Sequence, residues 1–185
     1  MELEKLKEKL KKVKVLITDV DGVLTDGSLY IGNGGNEFKR FNVLDGAGIA
    51  LLKAADIPLV VLSGRYSEAT VARMRELGLE ENLYQDGLAK IETYRKIKKR
   101  FNVDDEEVLY VGDDLVDLPV LKRVGVPVAV DNACGEVKSR AVYVTSRKGG
   151  EGALREVIEL LLNAKGIFNK AFEKVTRDTY KDCNQ

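Results

Sequence analysis

Val13-Lys14-Val15-Leu16-Ile17-Thr18-Asp19-Val20-Asp21-Gly22 is the stretch on which the fold turns. An apolar run with little polar alternation reads as a strand buried on both faces, as strands of parallel sheets are. Asp19 and Asp21 follow it, and side chains two apart on extended chain leave the same side. Both carboxylates therefore project from the strand's C-terminal end, the edge where open α/β sheets bind ligands. Carboxylates that close repel, so one takes a proton or a cation sits between them. A cation site that offers a carboxylate nucleophile beside a carboxylic acid suits phosphoryl transfer.

Working outward, residues 28–41 predict a β-hairpin. Ser28-Leu29-Tyr30-Ile31 and Glu37-Phe38-Lys39-Arg40-Phe41 flank the turn Gly32-Asn33-Gly34-Gly35-Asn36. Further strands are expected at Pro58 to Leu62, Leu83-Tyr84, Val108 to Val111, Val126 to Val130 and Ala141 to Val144. Helices are expected over residues 44–55, 67–77, 88–100, 118–123 and 152–164. Upstream, Leu3, Leu6, Leu10 and Val13 recur at helical spacing beneath charged residues, which predicts a short helix docked on the body. Strands alternating with helices give a three-layer, Rossmann-like parallel sheet covered on both faces, with the hairpin projecting from its active end. We read residues 1–165 as one domain and residues 166–185, which are polar and weakly patterned, as a tail.

Composition excludes several chemistries. The chain has 185 residues with 30 basic and 30 acidic side chains and no histidine. The charge balance argues against a nucleic-acid partner. The missing histidine removes Ser-His-Asp hydrolysis and histidine-ligated zinc, so proton transfer falls to carboxylate, lysine or tyrosine. Cys134 and Cys183 have no metal-ligand spacing and read as free thiols of a cytoplasmic protein. The charged N-terminus does not read as a signal peptide, and no apolar segment reaches membrane-spanning length, so no membrane association is expected.

Polar groups stand at successive strand and helix ends: Asp19 and Asp21, then Ser63, then Lys90, then Asp113, Asp114 and Asp117. Taken singly, each has an ordinary structural reading. Asp21 before Gly22 could shape a turn, and Asp117 could cap the helix that holds Pro119. A lysine at a helix N-terminus is electrostatically unfavourable, so Lys90 calls for an anionic partner. Together, Asp19-Val20-Asp21-Gly22-Val23-Leu24-Thr25, Leu62-Ser63-Gly64-Arg65, Lys90 and Gly112-Asp113-Asp114-Leu115-Val116-Asp117 resemble the four-motif signature of the haloacid dehalogenase superfamily of phosphatases. The resemblance covers nearly the whole chain. It implies a haloacid dehalogenase-like fold and a Mg²⁺ ion held by the Asp19 carboxylate, the Asp21 carbonyl and the Asp113 carboxylate. Chemically, Asp19 is suited to attack phosphorus and Asp21 to serve as acid and then base. Ser63 and Lys90 suit the phosphoryl oxygens, and Asp114 or Asp117 could orient Asp113 from behind. The short intervals after Asp21 and between Ser63 and Lys90 leave no room for a cap domain.

Within the superfamily the chain resembles the capless, tetrameric phosphatases of 3-deoxy-D-manno-octulosonate 8-phosphate, a sugar-acid phosphate on the route to lipopolysaccharide. The residues that carry this are Asp19 through Gly27, Phe41-Asn42-Val43-Leu44-Asp45-Gly46-Ala47-Gly48-Ile49, Ser63-Gly64-Arg65 and Gly149-Gly150-Glu151-Gly152-Ala153. It implies substrate binding by Asn42, Asp45, Gly46, Gly64, Arg65 and Arg73. It also implies a homotetramer joined through its hairpins, with the tail reaching a neighbouring site over a Gly149-Gly150 hinge. The substrate bears a carboxylate beside its phosphate, and arginine is the side chain best shaped to read one. Relatives acting on nine-carbon sugar phosphates tend to carry an acid where Arg65 stands. The eight-carbon branch often carries a base where Ala50 stands, and Lys53, one turn later, is the expected substitute.

Three other readings compete. A phospho-accepting receiver places its acceptor after a middle strand, where this chain has Ser63. A non-catalytic oligomerisation module of the kind attached to sialic-acid-activating enzymes can lose motif residues that are all present here. A dinucleotide-binding fold lacks its Gly-x-Gly-x-x-Gly after the first strand.

Overall fold

The computed structural model describes residues 3–85, 87 and 89–181. Its strands are β1 (Val15–Thr18), β2 (Tyr30–Ile31), β3 (Glu37–Phe38), β4 (Leu59–Leu62), β5 (Leu83–Tyr84), β6 (Val108–Gly112), β7 (Val126–Ala129) and β8 (Tyr143–Val144). Its helices are α1 (Leu3–Lys12), α2 (Val43–Ala54), α3 (Glu68–Glu76), α4 (Lys90–Phe101), α5 (Leu118–Leu121), α6 (Gly135–Lys138), α7 (Ala153–Ala164) and α8 (Phe168–Lys181). Each element expected from the sequence is present, with ends moved by one to three residues. The exception is the start of the fourth helix, where Leu88 lies outside the described residues.

Six strands form one sheet in the order β5-β4-β1-β6-β7-β8, and every pairing in it is parallel. Strands β1, β4, β6 and β7 are buried at every position, which requires cover on both faces. Helices α1, α2, α7 and α8 pack on one another as one group, and α4 packs with α5 as another. The expected doubly covered α/β sheet is therefore the architecture observed. Its centre is a continuous apolar core that includes Leu16, Ile17, Val60, Leu62, Leu109 and Val111. Burying an aliphatic side chain of this size contributes about 1.5–3 kcal/mol.

Register delivers the functional residues to one edge. Thr18 lies beside Val61 of β4 on one side and Val111 of β6 on the other. Asp19, Ser63 and Asp113 therefore leave neighbouring strands at nearly the same height. The hairpin is a separate antiparallel pair, with Tyr30 opposite Phe38 and Ile31 opposite Glu37.

Three expectations need correction. The segment after Gly166 is a strongly amphipathic helix, α8, with Ala171 buried and its body packed on α2 of the same chain. Lys170, Glu173 and Lys174 on its outer face interrupt the apolar stripe along the sequence. Residues 182–185, Cys183 among them, lie outside the described residues, whereas Cys134 is a free thiol. Gly149 and Gly150 are no hinge: both are buried against the Asp19 loop. A Cβ on Gly149 would stand 1.7 Å from the Gly22 carbonyl oxygen, so glycine is needed there for close approach. Lys53 does not substitute for a base at position 50. Its ammonium donates to the Leu77 and Gly78 carbonyls and closes the C-terminal end of α3.

Among the described residues, no helix is long and apolar enough to cross a membrane.

Candidate active site

The edge formed by the ends of β1, β4 and β6 holds an open cavity of about 250 Å³ whose lining includes Asp19, Asp21, Ser63, Gly64, Arg65, Asp113 and Asp114. Asp19 forms part of its floor and is only 5% exposed. Its Oδ1 accepts from the Val20 amide at 2.7 Å and from Lys90 Nζ at 2.8 Å. Burial, opposed by the Lys90 charge, pushes the Asp19 carboxyl up to about 7.

Lys90 begins α4, where it has no aqueous outlet. Its ammonium bridges Asp19 and Asp117, the latter at 2.7 Å, so the anionic partner the sequence called for is a pair of carboxylates. Burial works to lower the Lys90 pKa, but the two carboxylates outweigh it and hold the value above 10.5. Asp117 is fully buried and saturated with donors. Its Oδ1 accepts from Lys90 and from the Tyr110 hydroxyl at 2.6 Å, and its Oδ2 from the amides of Asp113 and Asp114. It faces back into the sheet and does not cap the helix that follows it. Asp114 lies on the exposed rim and accepts from the Leu115 amide.

Asp113 completes the group. Its Oδ1 is buried without a hydrogen-bond partner, and burial together with Asp19 and Asp117 raises its carboxyl to about 8. One carboxylate oxygen each from Asp19, Asp113 and Asp117 lies within 4.8 Å of the others. An orphaned carboxylate oxygen facing a second carboxylate fits a hard divalent cation, which would satisfy the one and relieve the repulsion of both. Of the three acids, Asp117 has spent its oxygens on Lys90, Tyr110 and two amides. Asp19 and Asp113 are the side chains placed to receive an ion. Gly22, at φ +86°, makes room for this: a Cβ there would stand 1.9 Å from Asp113 Oδ2.

Ser63 lies buried at the end of β4, its hydroxyl engaged with the backbone of Arg65 at 2.9 Å and 3.2 Å. Arg65 reaches across to the hairpin, where Glu37 grips its guanidinium at two points. Asp21 is half-buried and pairs with Lys39 at 2.6 Å.

The remaining expected substrate residues stand outside the cavity lining. Asn42 caps α2 by accepting from the Leu44 amide and donates to the Gly150 carbonyl. Asp45 is buried and accepts from the Arg155 amide at the start of α7. Arg73 pairs with Glu76 and lies over Gly46. The structure thus gathers Asp19, Asp21, Ser63, Gly64, Arg65, Lys90, Asp113, Asp114 and Asp117, and sets Asn42, Asp45, Gly46 and Arg73 apart from them.

Sequence reasoning missed Glu37, Lys39 and Tyr110. The first two stand two apart on one hairpin strand, a shared-face signal that was available. Tyr110 interrupts an otherwise aliphatic buried strand, where a buried hydroxyl needs a partner.

Comparison with known proteins agrees with this geometry. Residues 62–157 match the model of a family described as haloacid dehalogenase-like hydrolase. The 3-deoxy-D-manno-octulosonate 8-phosphate phosphatase KdsC of Escherichia coli (strain K12) is 43% identical over 163 residues, 88% of this chain and 86% of that protein. The chain belongs to the haloacid dehalogenase-like hydrolase family. Two solved structures of similar fold are of 3-deoxy-D-manno-octulosonate 8-phosphate phosphatases. The Yersinia pestis structure has a TM-score of 0.87 and 40% identity, covering 90% of this chain and 89% of its own. The Moraxella catarrhalis structure, in complex with magnesium, phosphate and KDO, has a TM-score of 0.89 and 33% identity, covering 94% of this chain and 99% of its own. The sequence resemblance to the haloacid dehalogenase-like phosphatases and the fold it implied are both borne out.

Proposed function

We propose that this haloacid dehalogenase-like hydrolase is a Mg²⁺-dependent phosphomonoesterase that removes the phosphate of 3-deoxy-D-manno-octulosonate 8-phosphate through an aspartyl phosphate on Asp19. The observation that carries the reaction is the Asp19 carboxylate on the cavity floor, 2.8 Å from Lys90 and beside the orphaned oxygen of Asp113. The sugar is supported by the names of the relatives and by Arg65 in the lining, a reader for the carboxylate of the substrate.

Asp19 attacks phosphorus, forming an O–P bond as the ester P–O bond breaks. Asp21 gives its proton to the departing sugar oxygen, then takes one from the water that cleaves the acyl phosphate and frees Asp19. Lys90 fixes the attacking carboxylate and balances charge on the phosphoryl oxygens, while Ser63 and the Gly64 backbone border them. Bound Mg²⁺, held by Asp19, the Asp21 carbonyl and Asp113, supplies neutralisation of the repulsion between carboxylate and phosphate. Asp117 holds the Asp113 backbone from behind, while Asp114 stands on the rim.

The same reading includes a homotetramer assembled through the hairpins, whose exposed Leu29, Tyr30, Ile31 and Phe38 are apolar. Asn42, Asp45, Gly46 and Arg73 would then serve the sugar end of the substrate beyond the cavity. We place the reaction in the cytoplasm, where charged sugar phosphates are made and consumed.

Phosphate release from the eight-carbon 8-phosphate and a nine-carbon keto-deoxy sugar 9-phosphate, with and without Mg²⁺, tests the proposal. The eight-carbon ester should be preferred by about tenfold or more in kcat/KM. Asp19→Asn should lower kcat by at least about 10⁴-fold while leaving the fold intact. Preference for the longer sugar would overturn the substrate, and retained turnover in Asp19→Asn would overturn the nucleophile.

A further inference from the structure

The hairpin returns one cationic side chain to the catalytic edge. Glu37 and Lys39 are two apart, so both leave the same side of the extended strand. Most of the hairpin is exposed, yet the Lys39 side chain is fully buried. Its Nζ lies 2.6 Å from Asp21 Oδ1 and 3.6 Å from Glu37 Oε1. Glu37 also holds Arg65, with Oε1 2.6 Å from Nη2 and Oε2 3.0 Å from Nη1. Asp21, Lys39, Glu37 and Arg65 thus form one chain of alternating charge along the cavity rim. A lysine whose only task is solubility stretches its ammonium into water, and burying that ammonium is costly unless carboxylates meet it. Lys39 makes the opposite choice and spends its charge on the Asp21 side chain.

We infer that Lys39 is a positioning residue for Asp21, and that Glu37 braces Lys39 and Arg65 against each other. The inference rests on the reading of Asp21 as acid and base. Asp21 lies in the turn that follows β1, where the Val23 and Leu24 amides return to the Val20 carbonyl, and its carboxyl has two rotatable bonds with which to swing toward solvent. A donor fixed on Oδ1 holds the group against the cavity and leaves Oδ2 to pass the proton to the leaving oxygen. The hairpin accordingly sets the proton-transfer group and the anion-reading arginine from one short stretch of chain, which residues acting independently would not achieve.

Leaving-group dependence tests this without reference to the sugar. Phenol, with a pKa of about 10 like that of tyrosine, leaves poorly without a proton, whereas p-nitrophenol is a much stronger acid and leaves unaided. The ratio of kcat/KM for the two aryl phosphates, measured with saturating Mg²⁺, does not depend on how much of a variant is folded. Lys39→Met should lose about 10- to 100-fold on phenyl phosphate and no more than about threefold on p-nitrophenyl phosphate. Lys39→Arg should recover most of the loss, Glu37→Gln should show part of it, and Asp21→Asn should show the same selectivity in stronger form. Equal losses on both esters in Lys39→Met, with Asp21→Asn still selective, would overturn the inference and leave the catalytic reading standing. An unselective Asp21→Asn would overturn the acid–base assignment and the inference with it.

Discussion

Lys90 illustrates how one residue serves chemistry and stability together. Its ammonium bridges Asp19 and Asp117, two carboxylates buried at the cavity floor. Removing one partner of a buried ionic group leaves the other uncompensated, at a cost of about 3–5 kcal/mol. Lys90→Met should therefore lower the unfolding free energy by that order in urea titrations at neutral pH, besides lowering turnover. Replacing both Lys90 and Asp117 by apolar residues should cost less than the sum of the single changes. Additive losses would show that the two side chains act independently. The sequence exposed Lys90 as an anomaly, a cation at a helix N-terminus. It could not say whether the partner was protein or substrate, because that choice depends on where Asp117 folds back.

Between elements, the joint of α2 with α7 has its own titration. Gly152, which precedes α7, has no side chain to cap the helix. Asp45 of α2 supplies one from outside, accepting from the Arg155 amide at 3.0 Å. The carboxyl is buried with Oδ2 unpartnered, and burial, against the Arg155 and Leu154 amides, raises it to about 6. A folded-state pKa above the unfolded value of 3.8 means that stability is fully present at low pH and is lost as pH rises from 3.8 through about 6. Asp45→Asn keeps an acceptor oxygen and does not ionise. The melting temperature of the natural protein relative to this variant should fall between pH 4.5 and pH 6.5 and be flat above. A difference independent of pH would show that Asp45 ionises in the fold as readily as in water. Elements such as α2 and α7 were legible from their periodicity, but the contact of Asp45 with α7 joins residues far apart in the chain and has no local signature.

For the whole molecule, the hairpin is the element that a single chain does least to support. Two short strands in isolation are at best marginally stable in water, and this pair exposes Tyr30, Ile31 and Phe38. If other copies cover it, a charged substitution there should dissociate the assembly without unfolding the subunit. Ile31→Asp with Phe38→Asp should reduce the mass seen by light scattering from four copies to fewer, with the far-ultraviolet circular dichroism of the sheet retained. An unchanged mass would remove the hairpin from the interface. Because Glu37 of β3 and Lys39 just after it reach the catalytic edge, loss of assembly should also lower kcat.

Local pattern was sufficient for the elements other than α6 and α8, for the parallel sheet and for the family resemblance. Strand burial and helical periodicity arise from neighbours in the chain, and the catalytic acids are tied to strand ends by spacing alone. Tertiary structure decided the rest. It turned Asp117 inward to Lys90 and Tyr110, docked Gly149 on Gly22, laid α8 on α2 and buried Lys39 against Asp21. Each of these depends on contacts between distant segments, whose energies are set by burial and charge neutralisation in three dimensions and leave no periodic trace along the chain.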